Sequence, residues 1–246
     1  LTERLPPELP CLVGFVESAP AQDRPGLFNS VALIRGGRVE AVARKRLLPT
    51  YDVFDEHRYF APGDSSLVIS VGATRVGITV CEDIWADRGA LRVPRYAKNQ
   101  VADVVTEGAQ IIVNLAASPF TLPKREGRAQ LLSEVARAHQ IPVVFVNQVG
   151  GNDDVLFDGQ SSVFDAGGRL IARAPAFEES FMVANVPSGQ DASGAAGNVI
   201  ADVPDTDAAA ALDALAMGTR DYVHKTGFSS VLPGLPGGID SALVAA

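Results

Sequence analysis

Cysteine is scarce in this chain, with two in 246 residues, Cys11 and Cys81. Two thiols so far apart have neither metal-ligand spacing nor the density of a disulfide framework, which fits a reducing, cytoplasmic setting. Three histidines are present, but their positions offer no good Cys–His alternative. His57 sits in a loop beside Glu56, His139 falls near a helix end whose dipole it complements, and His224 lies in a later helix. No run approaches the ~18 consecutive apolar residues of a membrane span. The opening "LTERLPPELP" lacks the basic region and apolar run of a signal peptide, and reads as a chain entered in its middle. Basic charge is also short, with 21 Lys and Arg against 29 Asp and Glu and a formal net charge of -8. There is thus no broad basic footprint for nucleic acid or anionic membrane, and an acidic balance says little else about partners.

What is present is ordinary globular material, 47% hydrophobic and 20% charged. Short apolar runs, "CLVGFVE", "SLVISVG", "RVGITVC", "QIIVNLA" and "IPVVFVNQVG", read as buried strands. Two glycine pairs, Gly36–Gly37 and Gly167–Gly168, sit between β-rich segments and predict hairpins in which they supply positive φ. Helical spacing recurs in "KREGRAQLLSEVARAHQ", through Arg128, Leu131, Leu132, Val135 and Ala136, and Pro142 stops it. A further helix is expected around 93–107. Strands alternating with helices predict a layered α/β fold with both sheet faces covered.

Composition shifts near Pro187, where "PSGQDASGAAGNVIADVPDTD" reads as a linker over 187–207. The first domain is therefore expected over 1–186 and a second from 208 to 246. In the second, Leu212, Leu215, Ala216, Thr219, Tyr222 and Val223 share a helical face, and Gly227 follows as a C-terminal cap. A strand, a Gly-rich loop and a helix start come next. About forty residues bury no core alone, so this domain is expected to be incomplete.

Cys81 ends a strand-like run and is followed at once by Glu82 and Asp83. Acidic neighbours disfavour a thiolate, and a strand cysteine is by default a buried structural residue, the reading that Cys11 keeps. Strand alternation puts Val76, Ile78 and Val80 on one face and Gly77, Thr79 and Cys81 on the other. Upstream, "ARKRLLPTYDVFDEHRYFAPGD" gathers Lys45, Tyr51, Asp55, Glu56, Arg58 and Tyr59 around a proline-containing loop. Alone, such a loop is solvated surface.

Taken together, these stretches resemble the nitrilase superfamily, and within it the glutaminase domain of glutamine-dependent NAD synthetases. The matching signatures are "KRLLPTYDVFDEHRYF", "CEDIW", "NLAASPF", "VFVNQVGGNDDVLFDGQSS" and "APAFEE", in the family's order. "RDYVHKTGF" and "GLPGGIDSAL" resemble the start of the NAD synthetase module. The resemblance implies an α-β-β-α sandwich followed by the beginning of a Rossmann-like ATP pyrophosphatase domain. It implies Cys81 as the nucleophile on the glutamine amide, Lys45 as the oxyanion-stabilising ammonium, and the backbone N–H of Glu82 as the second oxyanion donor. Glu56 is implied as a supporting glutamate, and Tyr51, Ser118 and Lys124 as the residues holding glutamine. A nearby ammonium would offset the two acids and favour thiolate. Ammonia released there would amidate deamido-NAD at an ATP- and Mg2+-dependent second site, in a homo-oligomer.

Two departures weigh against full activity. The family's general base lies upstream of this sequence, and Glu8, directly before a strand, does not take its place, so the chain alone is expected to have little glutaminase activity. The phosphate loop, Gly234, Leu235, Pro236, Gly237, Gly238, Ile239, Asp240 and Ser241, carries proline where the family has serine. Pro236 removes a hydroxyl and an N–H from a loop built to cradle phosphate, while the resemblance implies Asp240 as the residue that could hold magnesium. Two rivals stand beside this reading: a stand-alone carbon–nitrogen hydrolase, and a non-catalytic degenerate subunit or scaffold.

Overall fold

The computed structural model describes residues 6–19, 25–87, 96, 98–187, 195–234 and 237–245. The chain opens with β1 (Cys11–Ser18), β2 (Leu27–Arg35) and β3 (Arg38–Arg44), an antiparallel sheet in the order β1-β2-β3. Gly36 and Gly37 make the predicted turn at φ 58 and 73. Then come β4 (Leu67–Val71), β5 (Thr74–Val80), α1 (Gln100–Thr106), β6 (Ile111–Ala116), α2 (Lys124–His139) and β7 (Val143–Asn147). A hairpin of β8 (Val149–Asn152) and β9 (Val155–Asp158) precedes β10 (Ser162–Phe164) and β11 (Leu170–Arg173). The second sheet has the order β11-β10-β7-β6-β5-β4, with β5, β6 and β7 parallel and helical crossovers between them.

The layers follow from which faces are apolar. Val31, Leu33 and Ala43 of the first sheet pack against Ile69, Val76, Ile78 and Val80 of the second. On the far face of the second sheet, Val101 and Val104 of α1 and Leu131, Leu132, Val135 and Ala136 of α2 cover Ile112, Val143 and Phe145. Burying each of the larger side chains contributes about 1.5–3 kcal/mol. Gly77 lets α1 sit close, since a Cβ there would lie 2.9 Å from Val104 Cβ. Helix α2 ends where Gln140 turns left-handed at φ 55, just before Pro142. The result is the mixed α/β architecture expected, sheet against sheet with helices outside.

Four local expectations need correction. Helix α1 begins at Gln100, inside the predicted 93–107, with its N-terminus capped by Asn99, whose side chain accepts from Ala102 N; residues 93–95 and 97 lie outside the described residues. At the second glycine pair only Gly168 has positive φ, because the β10–β11 turn is closed by Asp165 accepting from Gly167 N and Arg169 N. In α3 (Asp207–Lys225) the buried residues are Ala210, Ala214 and Met217, while Leu212, Leu215 and Tyr222 are exposed. Small residues let this helix lie close on the β8–β9 hairpin, and that outweighs the larger apolar side chains. Residues 228–234 form no strand, and α4 (Ile239–Ala245) follows directly from the loop. Gly227 does cap α3: it is at φ 80, its N–H bonds His224 O, and Phe228 N bonds Val223 O. Within the linker, the chain from Val199 to Ala201 hydrogen-bonds along Arg173 at the end of β11.

Candidate active site

The strand β5 stops at Val80 because the next residue leaves the extended region. Cys81 has φ 44, a left-handed conformation rare for a residue with a Cβ, and it begins a 3-10 helix over Cys81–Asp87. Strain of this kind costs about 1–3 kcal/mol and persists only where its surroundings impose it. Asp83 imposes it here: Oδ2 accepts from Val80 N at 3.0 Å, and Oδ1 accepts from Arg46 N and Leu47 N at 3.0 and 2.9 Å. One carboxylate thus ties the Cys81 turn to the chain just past Lys45. The turn also overrules the predicted alternation. Cys81 swings to the face of Val76, Ile78 and Val80, between the two sheets.

Lys45 follows β3 and is held by backbone hydrogen bonds from its N–H to Asn29 O and from Gly63 N to its carbonyl, both 2.8 Å. Its side chain is only 1% exposed, and Nζ donates to Glu56 Oε1 at 2.6 Å. The other Glu56 oxygen, Oε2, is buried without a partner. Lys45, Glu56 and Cys81 line one cavity of about 450 Å³ between the sheets, with Val31, Asn147 and Gln148 among its other walls. Burial opposes the Lys45 charge, but Cys81 and Glu56 outweigh it and hold the ammonium above its ordinary range. Burial pushes the Cys81 thiol up, Lys45 pulls it down, and Glu82 and Glu56 raise it again. Lysine and thiol are thus coupled, each favouring the charged form of the other.

The second acid of the puzzle is accounted for by its partners. Glu82 is 3% exposed and accepts from Tyr51 Oη at 2.9 Å and from Tyr96 Oη at 2.8 Å. Burial raises both phenols, and the Glu82 charge raises them further, so they remain donors. Lys124 Nζ lies 5.6 Å from the Trp85 ring centroid and 5.7 Å from that of Phe54. Burial lowers its proton affinity, while Cys81 and Glu82 act in the opposite direction. Ser118 is 2% exposed; its N–H donates to Asn147 Oδ1 at 2.9 Å, and its Oγ is buried without a partner. Asn147 is fixed in turn by Asp158 and Gly159 O, and Asp158 holds Arg128 through two bonds of 3.0 and 2.7 Å.

Lys45, Glu56 and Cys81 are thus brought together in one cavity, with Glu82 following Cys81 in the turn. Tyr51 and Lys124 gather around the Glu82 carboxylate. Ser118 sits behind Asn147. Sequence reading missed the Glu82 side chain, Tyr96, Trp85, Phe54 and Asn147. Of these, Trp85 carried a signal, as the chain's one tryptophan, four residues past Cys81.

The second motif stands apart. Leu235 and Pro236 lie outside the described residues. Among the others, Asp240 and Ile239 are exposed, Ser241 Oγ donates to Gly238 O at 2.9 Å, and positions beside Gly234, Gly237 and Gly238 are open space. No group of three or more metal-ligating side chains occurs among the described residues. No described helix is long and apolar enough to cross a membrane.

Comparison with known proteins agrees with this geometry. A family model for carbon-nitrogen hydrolase matches residues 9–192, and one for NAD synthase matches residues 211–246. A glutamine-dependent NAD(+) synthetase of Synechocystis sp. is 40% identical over all of this chain, which covers 44% of that protein. The chain spans less than half the length of the curated relatives it matches. The solved structure of the glutamine-dependent NAD+ synthetase from Acinetobacter baumannii, in complex with ADP, superposes with a TM-score of 0.81. It is 36% identical, over 96% of this chain and 42% of that one. A carbon-nitrogen hydrolase from Helicobacter pylori G27, 24% identical over 68% of this chain and 59% of its own, shares the fold at a TM-score of 0.55. With Cys81, Lys45 and Glu56 meeting between the sheets and a family model covering three quarters of its length, the chain belongs to the carbon-nitrogen hydrolase family.

Proposed function

We propose that, in the full-length protein, the first domain hydrolyses the side-chain amide of glutamine with Cys81 as nucleophile. The observation that carries this reading is the buried Lys45–Glu56 pair sharing a cavity with a cysteine held at positive φ. Sγ bonds to the amide carbon, and the carbonyl oxygen becomes an oxyanion met by the Lys45 ammonium and the Glu82 backbone N–H. The C–N bond then breaks, a proton passes to nitrogen, and ammonia leaves. Water cleaves the thioester to glutamate and restores the thiol. Glu56 orients Lys45 through Oε1, and its unpartnered Oε2 is an acceptor for an N–H of the leaving amide.

The charged residues near Cys81 suit a free amino acid. A glutamine zwitterion carries an ammonium and a carboxylate on one carbon. Glu82 offers a buried carboxylate for the first, and Lys124, between Trp85 and Phe54, offers an ammonium for the second. The orphan Ser118 hydroxyl is a further donor, and Tyr51 steadies Glu82.

In the whole protein this ammonia serves the ATP- and Mg2+-dependent amidation of deamido-NAD to NAD, in a cytoplasmic homo-oligomer with domain boundaries near 187 and 208. The synthetase-like relatives and the NAD synthase match over 211–246 support that reading. The full-length protein, assayed with ATP and deamido-NAD, tests it with glutamine or ammonium chloride as nitrogen source. Cys81→Ala is expected to abolish glutamine-dependent NAD formation and to spare the ammonia-dependent reaction. Glutamine-dependent turnover surviving in that variant would remove Cys81 from the mechanism.

A further inference from the structure

Arg125 makes no hydrogen bond or ion pair with any described residue, yet its Nη1 is buried. A guanidinium does not escape such a position by losing its proton, so a buried donor of this kind calls for an acceptor with charge. Its helical neighbour Arg128 shows the satisfied case, with both terminal nitrogens on Asp158. Arg173 is half-buried, and its Nε and Nη2 both donate to one neutral oxygen, Ala201 O, at 3.0 and 2.7 Å. Burial lowers its proton affinity, Asp202 acts against that, and Arg125 lowers it further, so the two guanidiniums repel one another.

Between them is a cavity of about 120 Å³, lined by Arg125, Arg128, Gln160, Ser162 and Arg173 over an apolar floor that includes Phe164. No acidic side chain among the described residues lines it. At about 30 Å³ per water it has room for about four waters or one tetrahedral oxyanion. Waters would satisfy the donors without offsetting the charge. The site is separate from the Cys81 cavity, because Lys124, one residue earlier on α2, turns instead toward Trp85 and Phe54.

We propose that this cavity binds a phosphate-sized oxyanion, with Arg125 and Arg173 as its cationic walls and the Ser162 hydroxyl as a neutral donor. Guanidinium forks match phosphate oxygens in pairs, and a doubly charged anion relieves both the orphan Nη1 and the repulsion between the two arginines. The anion is either inorganic phosphate or the phosphoryl group of a larger metabolite.

Thermal unfolding of the full-length protein, titrated with sodium phosphate at ionic strength held constant with chloride, tests the site. Phosphate also stabilises proteins generally by exclusion from their surface, so the diagnostic is saturation. The wild type is expected to show a saturable rise in midpoint. Arg125→Met is expected to lose it, while being no less stable than wild type without phosphate. Arg125→Lys keeps the charge and loses the fork; it should weaken phosphate binding by about tenfold or more, and it serves if Arg125→Met does not fold. A parallel titration with glycerol phosphate identifies the source. A rise with inorganic phosphate alone marks a free-ion site, and a rise with both marks a phosphoryl-group site. A non-saturating rise shared by all variants, or an equal saturable rise with acetate, overturns the proposal.

Discussion

Lys45 Nζ meets Glu56 Oε1 at 2.6 Å, with the lysine 1% and the glutamate 17% exposed. Each charge is held in place by the other, so removing one leaves its partner stranded. Lys45→Met should therefore destabilise the fold by about 3 kcal/mol, the lower end for breaking a buried pair, because Glu56 retains some exposure. It should also lower the rate of thioester formation by at least about 10²-fold, the usual loss for an oxyanion donor. Urea unfolding and single-turnover acylation of the full-length protein separate the two effects. A stable Lys45→Met variant with unimpaired acylation would contradict the role given to the ammonium.

The thiol makes a second prediction. Burial sets Cys81 above its ordinary range, and Lys45 is the largest influence in the other direction. Alkylation by iodoacetamide requires thiolate, so its rate at Cys81 should keep rising with pH beyond the range of a free cysteine. In Lys45→Met the profile should move to still higher pH, and at neutral pH alkylation should be slower than in wild type. Cys11 reports through the same mass-spectrometric digest as an internal reference. Coincident profiles for wild type and variant would mean that the lysine does not set the thiol's charge.

How far the sequence led depends on the kind of interaction. The strands of the second sheet were legible because each is an apolar run bounded by turn residues, and α2 because its buried residues keep helical spacing to Pro142. The grouping of Lys45, Glu56 and Cys81 came from resemblance, since residues from separate elements share no local period. Cys81 was assigned to the wrong face because strand alternation holds only while the strand continues, and Asp83 ends it at Val80. The buried face of α3 was misread for a related reason. Hydrophobicity ranks Leu212 and Leu215 as core, whereas the helix buries Ala210, Ala214 and Met217 and brings Gly218 close to Leu156 of the hairpin. Asn147 and Tyr96 were invisible because their importance lies in partners far along the chain.

Asp83 offers a pH signature of the turn that carries the nucleophile. Burial pushes its carboxyl from 3.8 up to about 6, against three backbone N–H donors that hold it down. The folded state thus binds this proton more tightly than the unfolded chain does. The resulting contribution to stability is fully present below 3.8 and is lost as pH rises through about 6. Asp83→Asn cannot titrate, so the stability of wild type minus that of Asp83→Asn should fall across that window and be flat above it. Chemical denaturation at a series of pH values measures the difference. A constant difference through the window would mean that the carboxylate is held charged throughout.

The docking of α3 on the β8–β9 hairpin rests on an absent side chain. A Cβ on Gly218 would lie 2.8 Å from Leu156 Cδ2, and beside it Asp221 Oδ2 accepts from Gly151 N at 2.8 Å while Lys225 donates to Gly151 O. The obstructing atom is the end of a flexible side chain, so Gly218→Ala should stay within about 1 kcal/mol of wild type, its gain in helix propensity offsetting a small shift of Leu156. Gly218→Val adds branched bulk against the same leucine and should cost about 1–3 kcal/mol. Pairing it with Leu156→Ala should recover part of that cost, a coupling expected of residues in contact. Amide exchange at Gly151 reads the docking directly, because its N–H is protected by Asp221 only while α3 is seated. Faster exchange in Gly218→Val, reversed in the double variant, is the expected result; unchanged protection in Gly218→Val would mean that the helix does not depend on this close approach.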